Sequence, residues 1–358
     1  RKIVMTKKQL KSTSKRCDGC GSNLVFAPET QSLKCLGCGK NVEIKKNPEI
    51  QKHSYNAENI VASKTSWITD ERVFKCENCG GEIGLTNMEF AKSCPYCGSS
   101  NVSDIGEFAG IKPDSIIPFA VSESDARQKF AEQVKKKRFL PNAFKKNIPT
   151  CDTHPMYFPS FMFDMDTDSS YTGTLVETYT TTDSEGRQVT KERTFHISGS
   201  EKVSFTNLAV ESSSHLNNDE LSGILPYDMS SAYVYDSDYV RGYSVEHYND
   251  DLQKCMTVAK DKADSRIRSR ILAQYHYSRV AWLSVDTDYS NMKYCYTMLP
   301  VYNFAFNYKE KNYNVLMNGQ TGKVGKGLPL SKWKIALTVL FFILLGVGLF
   351  VVPILLAK

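Results

Sequence analysis

Eight of the eleven cysteines fall as four CxxC pairs, Cys17/Cys20, Cys35/Cys38, Cys76/Cys79 and Cys94/Cys97. Two thiolates on one tight turn can reach a single ion, and CxxC pairs in tandem carry the spacing of zinc sites. The pattern repeats: 14 residues separate Cys20 from Cys35 and again Cys79 from Cys94, and each cysteine of the first set is offset by 59 from its counterpart. A spacer of that length accommodates a short hairpin that brings the second pair round to close a tetrahedron. The sequence therefore predicts two closed sites, Cys17, Cys20, Cys35 and Cys38 on one Zn2+ and Cys76, Cys79, Cys94 and Cys97 on another. An interleaved pairing, with Cys17/Cys20 and Cys76/Cys79 sharing an ion, satisfies the same spacing. Glycine follows the second cysteine of every pair (Gly21, Gly39, Gly80, Gly98), where φ > 0 lets backbone NH groups turn toward sulfur. Four thiolate ligands leave no position for water, so both ions are expected to hold small coreless modules together and not to catalyse. Redox CxxC chemistry lacks its strand-helix context here, and the ribbon spacing argues against iron-sulfur ligation.

The remaining candidates for chemistry are scattered. Cys151, Cys255 and Cys295 stand alone, and the histidines at 154, 196, 215, 247 and 276 share no metal spacing. No P-loop, GxSxG, HExxH or GxGxxG occurs, so no reaction and no catalytic residue is predicted. Asp164, Asp166 and Asp168 begin like a calcium loop, but Ser169 stands where glycine is needed and Leu175 where a bidentate Glu is needed. The hairpins between the cysteines hold one basic residue each, which offers little to neutralise phosphates. The first 16 residues hold seven Lys/Arg and no acid. That arm suits a solvated tail, nucleic acid or anionic lipid.

These residues must be positioned by a chain of 358 residues, 41% apolar and 23% charged, a composition that excludes collagen-like, wholly disordered and polytopic membrane classes. The expected organisation is a basic arm at 1–16, a zinc ribbon at 17–40, a linker at 41–75, a second ribbon at 76–100, an α+β body at 115–328 and a transmembrane helix at 335–357. Residues 335–357 carry no charge, and 23 helical residues span about 34 Å against a hydrocarbon core of about 30 Å. Lys323, Lys326, Lys332 and Lys334 precede that stretch, which by the positive-inside rule predicts a single-pass cell-membrane protein with the bulk of the chain cytoplasmic.

Within the body, Ser122 caps a helix whose Ala126, Phe130 and Val134 share a face and whose end carries Lys135, Lys136, Lys137 and Arg138. Residues 156–211 alternate as strands of an antiparallel sheet, with a turn at Ser184, Glu185 and Gly186. Leu252, Met256, Ala259, Ala263, Ile267 and Ile271 form the apolar stripe of a second helix that packs on the sheet. Strands resume at 279–287 and 294–308, and Asn318-Gly319 marks a hairpin turn. YFPSFMFD at 157–164 rhymes with MLPVYNFAF at 298–306, with Pro159 and Pro300 expected near strand starts. The predicted fold class is thus α+β: two four-cysteine zinc ribbons, a mixed antiparallel-sheet-plus-helices body and one C-terminal transmembrane helix.

With the paired ribbons, the stretches IIPFAVSESDARQKF, RFLPNAFKK, YFPSFMFD, SSYTG and MLPVYNFAF, and NGQTGKVGKGLPLSKWK near the end, nearly the whole chain resembles a family of bacterial membrane-anchored double-zinc-ribbon proteins. Members are often labelled primosomal-helicase-like or transcription-factor-like, although no helicase motif occurs in this chain. The resemblance implies envelope stress or membrane organisation, beside phage-shock-type and stomatin/flotillin-type proteins. The function expected is a membrane-anchored, cytoplasm-facing adaptor that recruits partner proteins, with the lipid bilayer as a further partner. The alternative is a membrane-tethered nucleic-acid-binding or regulatory protein.

Overall fold

The computed structural model describes residues 15–62, 67–78, 80, 82–85, 94, 99–110, 112–147, 151–212, 218–246, 250–309 and 311–356. Strands dominate them. The first ribbon is a three-stranded antiparallel sheet of β1 (Leu24–Ala27), β2 (Ser32–Cys35) and β3 (Asn41–Glu43). There follow β4 (His53–Ser54), α1 (Ala57–Ala62), β5 (Trp67–Cys76), β6 (Glu82–Leu85), β7 (Val102–Gly110) and β8 (Ser115–Ile116). Next come α2 (Glu123–Lys136), α3 (Asn142–Asn147), β9 (Asp152–Thr182), β10 (Gln188–Glu211), α4 (Asn218–Ile224), β11 (Tyr233–Val234) and β12 (Ser244–Glu246). The chain closes with α5 (Leu252–Leu272), β13 (Arg279–Tyr308), β14 (Lys311–Asn318) and α6 (Lys332–Leu356).

The spine is β9, 31 residues long, paired antiparallel with the 30-residue β13 along one edge and with the 24-residue β10 along the other. Short strands extend this sheet: β4, β8 and β14 on β13, and β12 in parallel on the start of β9. Strand β12 also pairs with β6, so β5, β6 and β7 belong to the same sheet. The segment 41–75, read as a linker, supplies β3 to the first ribbon, and β4, α1 and β5 to the body.

Burial explains the change of pattern along β9. From Met156 to Phe163 both faces are covered, so the sequence runs apolar except for the buried Ser160. Tyr157, Phe161 and Phe163 join a core with α2 and α5, while Met156, Phe158 and Met162 join a second core with α4, Phe74, Cys76 and Cys94. Beyond Asp164 only one face is covered, and Met165, Thr167, Ser169 and Tyr171 are buried while Asp168, Ser170 and Thr172 are exposed. That half-covered stretch, with its partners on β10 and β13, forms a blade backed by α5. The three aspartates read against a calcium loop lie on this strand, where Asp166 accepts from Ser204 Oγ at 2.6 Å and Asp168 pairs with Lys202 at 2.6 Å. The rhyming segments are paired neighbours, Met298 opposite Pro159 and Pro300 opposite Tyr157. Both prolines lie inside their strands and not at the starts, because β9 and β13 extend well past the local signals.

The helices follow their signals. Ser122 Oγ accepts from Asp125 N at 3.1 Å as the α2 N-cap, and Ala126, Phe130 and Val134 are buried. Asp251 caps α5 by accepting from Lys254 N at 2.9 Å, and Cys255 joins the expected buried stripe. On the flank of α5, Lys262 donates to Ala209 O at 2.8 Å. Burial, partly offset by Glu211, pushes its pKa down to about 8, with Arg266 lowering it further and Asp219 and Cys255 opposing. An unfolded lysine titrates near ~10.4, so the cost of the buried charge is fully present below about pH 8 and fades as pH rises toward 10. The stability difference between wild type and Lys262→Met, measured by urea unfolding, should therefore shift in favour of wild type between pH 7 and pH 9.5. A difference independent of pH over that window would contradict the assignment.

Two predictions are corrected. The described residues form a mostly β structure with six α-helices, not the α+β class expected, because the alternating segments join into strands of up to about thirty residues. The predicted transmembrane helix at 335–357 is also overturned, and with it the single-pass cell-membrane location and cytoplasmic placement. Among the described residues no helix is long and apolar enough to cross a membrane. The side chains described in α6 end at Leu345, and their apolar run from Ile335 covers about 16 Å, roughly half of a ~30 Å hydrocarbon core.

Candidate metal centre

The first ribbon assembles its site from two turns. Gly21, with φ 71°, donates to Cys17 O at 2.8 Å, and Gly39, with φ 74°, donates to Cys35 O at 3.1 Å. Cys17 N donates to Ser22 O and Cys35 N to Lys40 O, both at 2.9 Å, closing a loop around each CxxC pair. Each turn thus presents its two sulfurs to the same side. The Sγ atoms of Cys17, Cys20, Cys35 and Cys38 lie within 4.8 Å of one another, with Cys20 to Cys35 at 3.4 Å and Cys17 to Cys38 at 3.7 Å. A tetrahedral ion with metal-sulfur bonds of ~2.3 Å holds its sulfurs about 3.8 Å apart. This cluster could hold a metal ion, and it does so within one ribbon, which excludes the interleaved pairing for these four residues. Cys17 and Cys35 are buried while Cys20 and Cys38 are exposed, so one wall of the site faces the ribbon core and the other faces solvent.

The electrostatics fit a cation. Bonds from Ser22 hold the Cys20 thiol down to about 6, and the Gly19 and Cys20 NH groups lower Cys17. Cys38 is pushed up to about 11: the Lys40 NH favours its thiolate, but the neighbouring Cys35, Cys20 and Cys17 sulfurs oppose a further negative charge. Four thiolates cannot ionise together at this spacing without a positive charge between them.

Of the second set, Cys76 and Cys94 are both fully buried in the core on the α4 face of the sheet, whereas Cys79 and Cys97 lie outside the described residues. What is described matches the first ribbon. Gly80 has φ 78° and donates to Cys76 O at 2.8 Å, and Cys94 N donates to Ser99 O at 2.7 Å.

The ribbon is not a free module. Phe26 N donates to Arg241 O at 3.0 Å, the Phe26 ring meets Tyr239 edge-on at 5.4 Å, and Gln31 Nε2 donates to Phe119 O at 2.7 Å. Asp238 clamps the joint, taking Lys15 Nζ at 2.6 Å and Arg241 Nε at 2.7 Å. Burial opposes its charge, but these two cations outweigh it and hold the carboxyl below its usual range. Thus the end of the basic arm, at Lys15, serves this contact, while residues 1–14 lie outside the described residues. No sequence pattern announced the clamp, because its partners are more than 200 positions apart.

The other cysteines and histidines do not converge. Burial pushes Cys151 up to about 11 and Cys255 up to about 12, and raises Cys295, which contacts Ser115 Oγ at 3.3 Å. His53 bonds Asp114 at 2.8 Å, His196 bonds Thr174 at 3.0 Å, and His276 pairs with Glu177 at 3.4 Å on the surface. Burial lowers the pKa of His154, and His215 and His247 lie outside the described residues.

Comparison with known proteins yields one relative to report. The uncharacterized protein YdjG of Bacillus subtilis (strain 168) is 26% identical over 328 residues, covering 90% of this chain and 92% of that protein. No family model matches the chain, and no solved structure matches it.

Proposed function

We propose that the protein is a zinc-ribbon adaptor whose rigid blade captures partner proteins. The observation that supports this reading is the open face of the blade. Strands β10, β9 and β13 place His196, Thr174 and Trp282 in one cross-strand row, then Ser198, Thr172 and Ser284, then Ser200, Ser170 and Asp286, then Lys202, Asp168 and Asp288. Their opposite face packs on α5, so the grid is backed along its length of about 20 Å at ~3.3 Å per residue. Trp282 is 49% exposed at one end, and Asp288 sits directly opposite Asp168, a like-charge pairing that costs stability. Lys202 takes up the Asp168 charge at 2.6 Å, and the exposed Asp286 and Asp288 on the same face as Trp282 suit a basic segment of a partner protein.

In this reading two Zn2+ ions are structural, one on Cys17, Cys20, Cys35 and Cys38 and one on Cys76, Cys79, Cys94 and Cys97. The matching turn geometry at Gly80 and Cys94 supports the second. Phage-shock-type and stomatin/flotillin-type proteins are the first partners to look for, on the resemblance noted above.

The test is capture from a lysate with the tagged full chain, comparing wild type with Trp282→Ala/Asp286→Lys/Asp288→Lys, with and without nuclease. Partners retained by wild type through nuclease treatment and lost by the variant are the expected result. Equal capture by both would remove the blade from the binding surface. Recovery of nucleic acid, with proteins leaving on nuclease treatment, would replace the adaptor by the nucleic-acid alternative.

A further inference from the structure

At the end of α2 the chain forms a groove of about 280 Å³ against residues 325–330, lined by the apolar Phe139, Leu328 and Leu330 and by Lys137, Arg138 and Lys326. The backbone carbonyls beside it are already engaged: Val134 O accepts from Lys137 N, Lys135 O from Lys145 Nζ, Phe139 O from Ser331 N and Leu140 O from Lys334 Nζ. The three cations, by contrast, are exposed and have no carboxylate within ion-pair distance among the described residues. Three like charges around one opening repel each other, and an anion there relieves that cost.

The geometry points to a ligand with a charged head and an apolar body. The volume lies just below the ~300–1,000 Å³ typical of small-molecule sites, too little for a docked helix or strand. A bare inorganic anion would leave the apolar wall wet. We propose that this groove binds a single-chain anionic amphiphile of the fatty-acid class, its carboxylate held by Lys137, Arg138 and Lys326 and its chain laid along Phe139, Leu328 and Leu330. None of this depends on the blade or on the ribbons.

The experiment titrates the full chain with dodecanoate below its micellar concentration, with methyl dodecanoate and acetate as chargeless and tailless probes. One saturable site is expected, with each control probe at least tenfold weaker. Lys137→Ser/Arg138→Ser/Lys326→Ser should weaken dodecanoate at least tenfold while cooperative unfolding and the far-UV spectrum are kept, since all three side chains are exposed. A diazirine-bearing dodecanoate should label residues 137–140 or 325–330. Unchanged affinity in the triple variant, acetate binding as tightly as dodecanoate, or labelling confined to the exposed apolar side chains of α6 would each overturn the proposal.

Discussion

On the proposed structural Zn2+ site, stripping the metal from the first ribbon should unfold residues 17–44 and uncover the aromatic surface beneath them, while the blade stays folded. The ribbon buries only Leu24, Phe26, Ala27, Pro28, Ser32, Leu33 and Ile44 besides two of its cysteines, too small a core to order its turns unaided. Structural Zn2+ sites in small peptides contribute on the order of 10 kcal/mol of folding free energy at neutral pH. Its loss therefore removes the larger part of what holds β1, β2 and β3. By contrast β9 sits between β10 and β13 over most of its length, with cores on both faces at one end, and makes no use of that ion. Amide exchange measured after chelation, or in Cys17→Ser, should show loss of protection at Phe26, Cys35, Leu36 and Gly39, by at least 100-fold. Amides of Tyr157 to Phe163 should keep theirs. Proton competition gives the same result by a second route, because metal release needs thiolates to protonate and so proceeds as pH falls. A ribbon that keeps its protection without metal would show that docking on Tyr239 and Arg241 suffices by itself.

Asn318→Ala should cost about 3 kcal/mol, lowering the urea midpoint without changing the blade's secondary structure. Read as a turn residue, Asn318 would be replaceable for a few tenths of a kcal/mol. The structure makes it a buried junction. Its Nδ2 donates to Ile224 O at 3.0 Å and to Pro226 O at 3.3 Å, and its Oδ1 accepts from Gln320 N at 2.8 Å and Thr321 N at 2.9 Å. The adjoining Gly319 donates to Pro300 O at 2.8 Å and accepts from Ala120 N and Val121 N. The turn therefore ties β13 and β14 to the segment before α2 and to the end of α4. Alanine leaves the buried Ile224 carbonyl short of a partner at ~1–3 kcal/mol, and also the part-buried Pro226 carbonyl and the Gln320 and Thr321 NH groups, where water recovers part of the loss. Asn318→Asp separates this from a loss of turn propensity, since Asp suits the turn but turns a carboxylate oxygen toward two carbonyls. It should be at least as destabilising as alanine. Near wild-type stability for Asp would return Asn318 to the role of an ordinary turn residue.

Much of this was legible in the chain because its cause is local. The CxxC turns need only adjacent residues and a glycine free to take positive φ, so Cys17, Cys20, Cys35 and Cys38 could be assigned to a metal from spacing alone. The cap at Ser122 depends on atoms three residues away, and the stripe of α5 on a 3.6-residue period, so those helices were also readable. The alternation that marks the blade is local too, and it showed which side chains share a face.

What the chain could not show was which surfaces meet. The segment 41–75, read as strand and linker, did not show where its strands lie, because β4 and β5 depend on partners elsewhere: His53 pairs with Tyr294, and Val73 with Gly84 and Gly106. The balance of helix to strand was misjudged because β9 and β13 stabilise one another across more than 100 positions, a contact no local window contains. The Asp238 clamp, the four bonds of Asn318 and the cationic groove at 137–140 and 325–330 are likewise meetings of distant residues. Sequence by itself determined which four cysteines of the first ribbon come together, where the helices begin and which strand side chains share a face, since each depends on neighbours along the backbone. Only the tertiary structure decided which of those faces is covered, because burial is a property of whatever surface arrives from the rest of the chain.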